Sequence, residues 1–209
     1  MTLIIAIQAK DSIILSADKC IIPAKNNMSI SPFYFNECKL HLWEKGVVSG
    51  SGEFQVIKSV NQWLQQNQDV SLLPKALNDI KKQRIIKVGQ HEQITNSSII
   101  FSKKDKDTPK LYSIGWNHEL EELKSGDIVV LCPTEHRFSS ASMLEIQNLY
   151  TKIKEYNLFT NNQSWINHYL TLLSSIYKKQ SLSCEKISTD FHVFFQSSSY
   201  STVVHMMND

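Results

Sequence analysis

The chain predicts an α+β fold in four layers, an αββα sandwich of two largely antiparallel sheets flanked by helices. Three observations carry this reading. Apolar runs of strand length come in groups joined by short turns. Pairs of longer segments, apolar at helical spacing, separate those groups. Each of these helices is apolar on one face only, so each must be laid against a sheet to bury it.

Residues 2–9 and 12–18 are rich in Ile, Leu and Ala and read as a hairpin that turns at Lys10-Asp11. Residues 23–37 are polar and irregular, with two prolines. Strands at 38–43 and 46–49 form a second hairpin, turning at Glu44-Lys45-Gly46. Gly50-Ser-Gly52 then breaks the strand and leads into a helix over 53–66, where Phe54, Ile57, Val60, Trp63 and Leu64 share a face. Asp69 and Ser71 both suit the cap of a second helix carrying Leu72, Leu73, Ala76, Leu77 and Ile80. Strands return at 97–102 and 110–116, with a charged loop expected at Lys103–Asp107. Shorter strands follow at 119–123 and 127–132. Amphipathic helices are expected at 139–156 and 163–179, and strands at 190–196 and 201–206 close the chain.

The 209 residues, without repeats or long linkers, suit a single domain spanning 1–209. A net charge of +2 is too small to argue for nucleic acid or a membrane surface as partner, and neither is expected. No apolar run reaches the length of a transmembrane span. The first residues lack the basic start and long apolar stretch of a signal peptide. Cys20, Cys38, Cys132 and Cys184 form no CxxC, so reduced thiols and a cytoplasmic setting are expected. The seven histidines fall in no HExxH or Cys/His ligand spacing, and no metal or other cofactor is expected. Gly50-Ser-Gly52 lacks the third glycine of a dinucleotide fingerprint, because position 55 is Gln. Cys38 adjoins Lys39, but neighbours on a strand point to opposite faces, so they would not share a site.

Thr2 stands directly behind Met1 at the head of the first strand. Removal of the methionine would leave a hydroxyl and a free α-amine on one residue, a nucleophile with its own general base. Four further elements follow in order: the turn Lys10-Asp11, the strand end Ala17-Asp18-Lys19, the segment Cys38-Lys39-Leu40-His41-Leu42, and Ser49-Gly50-Ser51-Gly52-Glu53 before a helix. Together they resemble the proteasome β-subunit family, which includes the bacterial HslV peptidase and other bacterial proteasome homologues. These are N-terminal-nucleophile (Ntn) hydrolases.

The resemblance is clearest over residues 2–64. It implies that Thr2 is the nucleophile, that Asp18 pairs with and fixes Lys39, that the Lys39 ammonium lies beside the threonine, and that the Gly50 N–H supplies an oxyanion hole. It further implies peptide or unfolded protein as substrate, assembly into a homo-oligomeric ring, and an ATPase unfoldase as a possible further partner. Helix faces such as Trp63/Leu64 and Trp165/Tyr169 are expected to offer apolar area for such contacts. The chain departs from the family at the Ser-Gly turn that supports the threonine. The corresponding stretch reads Leu131-Cys132-Pro133-Thr134-Glu135-His136-Arg137, where Glu135 or Thr134 are the candidate substitutes. Ser183 and Glu185 are candidates for the polar residues that the family carries before its penultimate strand. The departures leave a second reading, a catalytically inactive subunit that builds or regulates a ring.

Overall fold

The computed structural model describes residues 2–21, 35–36, 38–106, 108–132, 138–184 and 186–208. Strands β1 (Ile4–Gln8) and β2 (Ser12–Asp18) form the first hairpin. Two short strands, β3 (Cys20–Ile21) and β4 (Phe35–Asn36), pair with each other. The second hairpin is β5 (His41–Trp43) and β6 (Gly46–Ser51). Helices α1 (Phe54–Gln66), α2 (Leu73–Val88) and the single-turn α3 (Glu92–Thr95) follow. Next come β7 (Ser98–Asp105), β8 (Thr108–Ile114), β9 (Leu120–Glu122) and β10 (Ile128–Leu131). Helices α4 (Ser140–Thr151) and α5 (Asn162–Ser183) lead to β11 (Phe191–Ser197) and β12 (Ser201–Met206).

The two main sheets run β10-β1-β2-β11-β12 and β5-β6-β7-β8-β9, and every recorded pairing within them is antiparallel. β1 and β2 are buried on both faces, which is why they read as continuous apolar runs instead of alternating. Ile5, Ile7, Ile14, Val193 and Phe195 face Trp165, Leu173 and Ile176 of α5 and Leu149 of α4. The opposite face of that sheet meets the second sheet, with Ile4, Ala6, Ile13 and Leu15 against Val47, Ile100 and Leu111. The outer face of the second sheet carries Val48, Ile99 and Phe101 under Val56, Val60 and Leu64 of α1 and Leu77 of α2. Three hydrophobic seams between four layers result, and the four-layer expectation holds.

Several details differ from the sequence reading. Lys103, Lys104 and Asp105 belong to β7, not to a loop, because the β7–β8 ladder continues to Asp105 opposite Thr108. Lys103 pairs with Asp105 two residues along the same strand at 2.7 Å, and Lys104 Nζ donates to the Ser198 carbonyl. The helix expected over 139–156 stops at Thr151, and a separate 3-10 turn spans Tyr156–Leu158. Trp165 and Tyr169 are fully buried in the protein's own core and offer nothing to a partner. Trp165 instead packs edge-on against Tyr156 and Phe195.

The β6–α1 junction sets the geometry at one end of the sandwich. Gly52 sits at φ +106°, a left-handed conformation that glycine adopts without steric cost. Glu53 then caps α1 by accepting from the Val56 N–H at 3.1 Å. Arg84 of α2 holds the same carboxylate through Nε at 2.9 Å and Nη2 at 2.7 Å, fastening α2 to the start of α1.

Candidate active site

Asp18 ends β2 with its side chain fully buried, and its carboxylate receives three donors. Oδ1 accepts from the Leu3 N–H and from Lys39 Nζ, each at 2.8 Å. Oδ2 accepts from the Cys20 N–H at 3.0 Å. Asp18 also donates its own N–H to the Leu3 carbonyl at 3.1 Å. A buried carboxylate needs this degree of satisfaction, since unpaired it would cost several kcal/mol.

One oxygen of Asp18 therefore links the Lys39 ammonium to the peptide that follows Thr2. Thr2 itself is only 8 % exposed. Lys39 is 5 % exposed. Burial pushes its ammonium below the ordinary lysine value, and the charge and hydrogen bond of Asp18 oppose that shift.

Lys39 lies just ahead of β5. The register of the β5–β6 hairpin pairs His41 with Val48 and Trp43 with Gly46. Gly50 lies on β6 two residues beyond Val48, the last partner of β5, and pairs with Ile99 of β7. The glycine itself is demanded by packing: a Cβ there would stand 2.4 Å from the Ser98 carbonyl oxygen and 2.6 Å from Ile57 Cδ1. The structure thus brings Asp18 and Lys39 into direct contact, holds Thr2 one residue from that pair, and places Gly50 on the adjoining strand.

Of the supporting candidates, Ser183 alone lies among the described residues. Ser183 is the exposed last residue of α5 and not a loop residue, because the helix runs four residues past its expected end. Its hydroxyl turns back 3.4 Å to the Lys179 carbonyl of its own helix. Thr134, Glu135 and Glu185 lie outside the described residues.

Sequence reasoning missed Tyr177. This fully buried α5 residue stacks on Phe191, with ring centroids 4.2 Å apart. Its hydroxyl lies 3.3 Å from the Leu3 carbonyl oxygen and 3.1 Å from Ser16 Oγ. It ties the head of β1 to the helix layer. The only signal was a polar tip among the apolar positions of α5.

Three of the four thiols are poor candidates for a competing nucleophile. Burial pushes the Cys20 and Cys38 thiols up, and pushes Cys132 up to about 11. These three stay protonated near neutral pH, and a protonated thiol is a poor nucleophile. Among the described residues, no group of three His, Cys, Asp or Glu side chains is placed to hold a metal ion.

With this geometry in view, comparison with solved structures places the architecture. The chain superposes on the Anbu (Gly-1) mutant from Hyphomicrobium sp. strain MC1 with a TM-score of 0.68 at 13% identity, covering 100% of this chain and 88% of that one. It superposes on Anbu, an ancestral beta-subunit, from Yersinia bercovieri with a TM-score of 0.63 at 13% identity, covering 99% and 88%. The fold is of the proteasome type. Identity this low speaks for the fold alone. No family model matches the chain, and no curated protein matches it. Among the described residues, no helix is long and apolar enough to cross a membrane.

Proposed function

We propose that this chain is an N-terminal threonine peptidase, with Thr2 as nucleophile once Met1 is removed. The observation that carries the reading is the shared Asp18 oxygen, which joins the Lys39 ammonium to the Leu3 N–H beside Thr2. An ammonium held there favours a developing alkoxide on the threonine and keeps the α-amine neutral. The Thr2 Oγ attacks the substrate carbonyl carbon, and its proton passes to the α-amine. The tetrahedral oxyanion takes a hydrogen bond from the Gly50 N–H, a contribution of about 2.7–4 kcal/mol for one donor. Collapse breaks the carbon–nitrogen bond, and the leaving amine takes the proton from the α-amine. Water then cleaves the resulting ester by the same proton route and restores the hydroxyl.

The substrate is a peptide or an unfolded protein, and the working form is a homo-oligomeric ring in the cytoplasm, with an ATPase unfoldase as the natural supplier of unfolded chain. The second reading, a ring subunit without activity, draws on the missing Ser-Gly turn at residues 131–137. A peptide epoxyketone separates the two, because its adduct requires both the threonine hydroxyl and the free amine. We expect intact mass to show loss of Met1 and addition of one epoxyketone. Protein that has lost Met1 yet forms no adduct and cleaves no member of a broad peptide panel would establish the inactive reading.

A further inference from the structure

We propose that the end of the sandwich remote from Thr2 binds a small phosphate-bearing molecule. β2 runs from Ser12 to Asp18, and β11 pairs Ser197 with Ser12 and Phe191 with Asp18. The Ser197 end therefore lies about 20 Å from the Asp18 end, at the usual rise of a strand. A cavity of about 330 Å³ opens there between the two sheets. That volume falls within the range of small-ligand pockets, about 300–1,000 Å³.

Its lining is charged and polar, where most ligand pockets are apolar. Glu44, Lys45, Lys104, Lys106, Ser199 and Ser201 face it. Among the described residues that line it, three lysines stand against one carboxylate, with Lys45 Nζ 3.5 Å from Gln68 Oε1 just outside the cavity. The nearby Asp105 is already paired with Lys103, whose side chain does not line the cavity. Among the described lining residues positive charge is thus in excess, and Ser199 and Ser201 line the cavity beside it.

The frame of the cavity is built, not incidental. Gln196 lines it while only 6 % exposed. Its Oε1 accepts from Ser102 Oγ at 3.0 Å, and its Nε2 donates to the Lys45 carbonyl at 3.3 Å. The Lys104 N–H donates to that same carbonyl at 2.9 Å, and Lys104 Nζ donates to the Ser198 carbonyl. These bonds hold the β5–β6 turn, the end of β7 and the β11–β12 turn in one arrangement.

Lysines without arginine supply point charges and not a planar fork. Lysine and hydroxyl donors approaching from several directions suit the oxygens of a tetrahedral phosphate better than the plane of a carboxylate. Glu44, the one carboxylate among the described lining residues, would select the bound ligand's orientation by repulsion. The site owes nothing to the chemistry proposed for Thr2, and it would stand if that chemistry failed.

The test is isothermal titration of the full-length protein with sodium pyrophosphate and with inorganic phosphate, against sodium acetate at matched ionic strength. Saturable binding of the phosphates, with acetate silent, is expected. In Lys45→Gln/Lys106→Gln, affinity should fall at least about tenfold, as for loss of charged partners at a binding site. Lys87→Gln/Lys152→Gln removes the same charge elsewhere and should bind as the wild type does. Circular dichroism checks that both variants are folded; should the first fail to fold, Ser199→Ala/Ser201→Ala takes its place with the same expected direction. The proposal is overturned by absence of saturable binding, by equal binding of acetate, or by equal losses in the two lysine variants.

Discussion

Asp18 and Lys39 form a coupled pair, and each single change should expose the other. Lys39→Ala leaves a fully buried carboxylate with two backbone donors and no counter-charge. Removal of one partner from such a pair costs about 3–5 kcal/mol, which denaturant unfolding would measure. Asp18→Asn/Lys39→Met should cost less than Lys39→Ala, because no buried charge is stranded. Both should be inactive towards peptides. Thr2→Ala removes one hydroxyl beside the pair without touching the Asp18 contacts, so turnover should vanish while stability stays within about 1 kcal/mol. Thr2→Ser keeps hydroxyl and amine, and partial activity should survive.

The Lys39 shift also has a pH signature. Its folded-state value is lowered, so between that value and 10.5 the unfolded chain binds the extra proton. This contribution makes stability rise with pH through that window. Activity should do the reverse if the ammonium is the working form, with an alkaline limb that sets in below pH 10.5. A peptidase profile flat to that pH would remove Lys39 from the mechanism.

At the scale of elements, the hairpins and helices were legible from the spacing of Val48, Val60 and Leu77 and their like, because one-sided burial imposes its period on the chain. The strand ends were not. β7 extends through Lys103–Asp105 because β8 offers a ladder there, and no local propensity announces that partner. The Glu53 cap was legible as the start of a helix, whereas its clamp by Arg84 joins residues thirty-one apart and was not. Gly50 shows how one residue can serve two levels. Gly50→Ala drives a methyl into the Ser98 carbonyl and Ile57, and should cost about 1–3 kcal/mol in thermal or chemical unfolding. A loss of activity in that variant is therefore meaningful only beside its stability. Tyr177→Phe is gentler: it deletes the hydroxyl between Leu3 and Ser16, should cost about 1 kcal/mol, and should lower kcat by loosening the head of β1.

For the molecule as a whole, the four-layer architecture leaves a few large apolar side chains uncovered. Trp116 is 83 % exposed and Leu182 is 88 % exposed. If the chain assembles into rings, light scattering at micromolar concentration should report a multiple of the 24.0 kDa chain mass. Trp116→Ser and Leu182→Ser should then identify which surface is used, by shifting that mass towards the monomer. A monomer under all conditions would count against the self-compartmentalised reading of function.

By itself the sequence determined the four-layer class, the order of its longer strands and helices, and, through resemblance, the expectation that Asp18 and Lys39 meet at the head of the first strand. Period and turn chemistry are local properties, so they survive in one dimension. Only the tertiary structure decided that one Asp18 oxygen holds both Lys39 and the Leu3 N–H, that Tyr177 reaches Leu3 from the helix layer, that Trp165 and Tyr169 are spent in the core, and that three lysines meet Ser199 and Ser201 at the far end. Each of these joins residues distant in sequence, and the choice among possible partners is made by the simultaneous packing of both sheets and both helix layers. No local pattern encodes that choice.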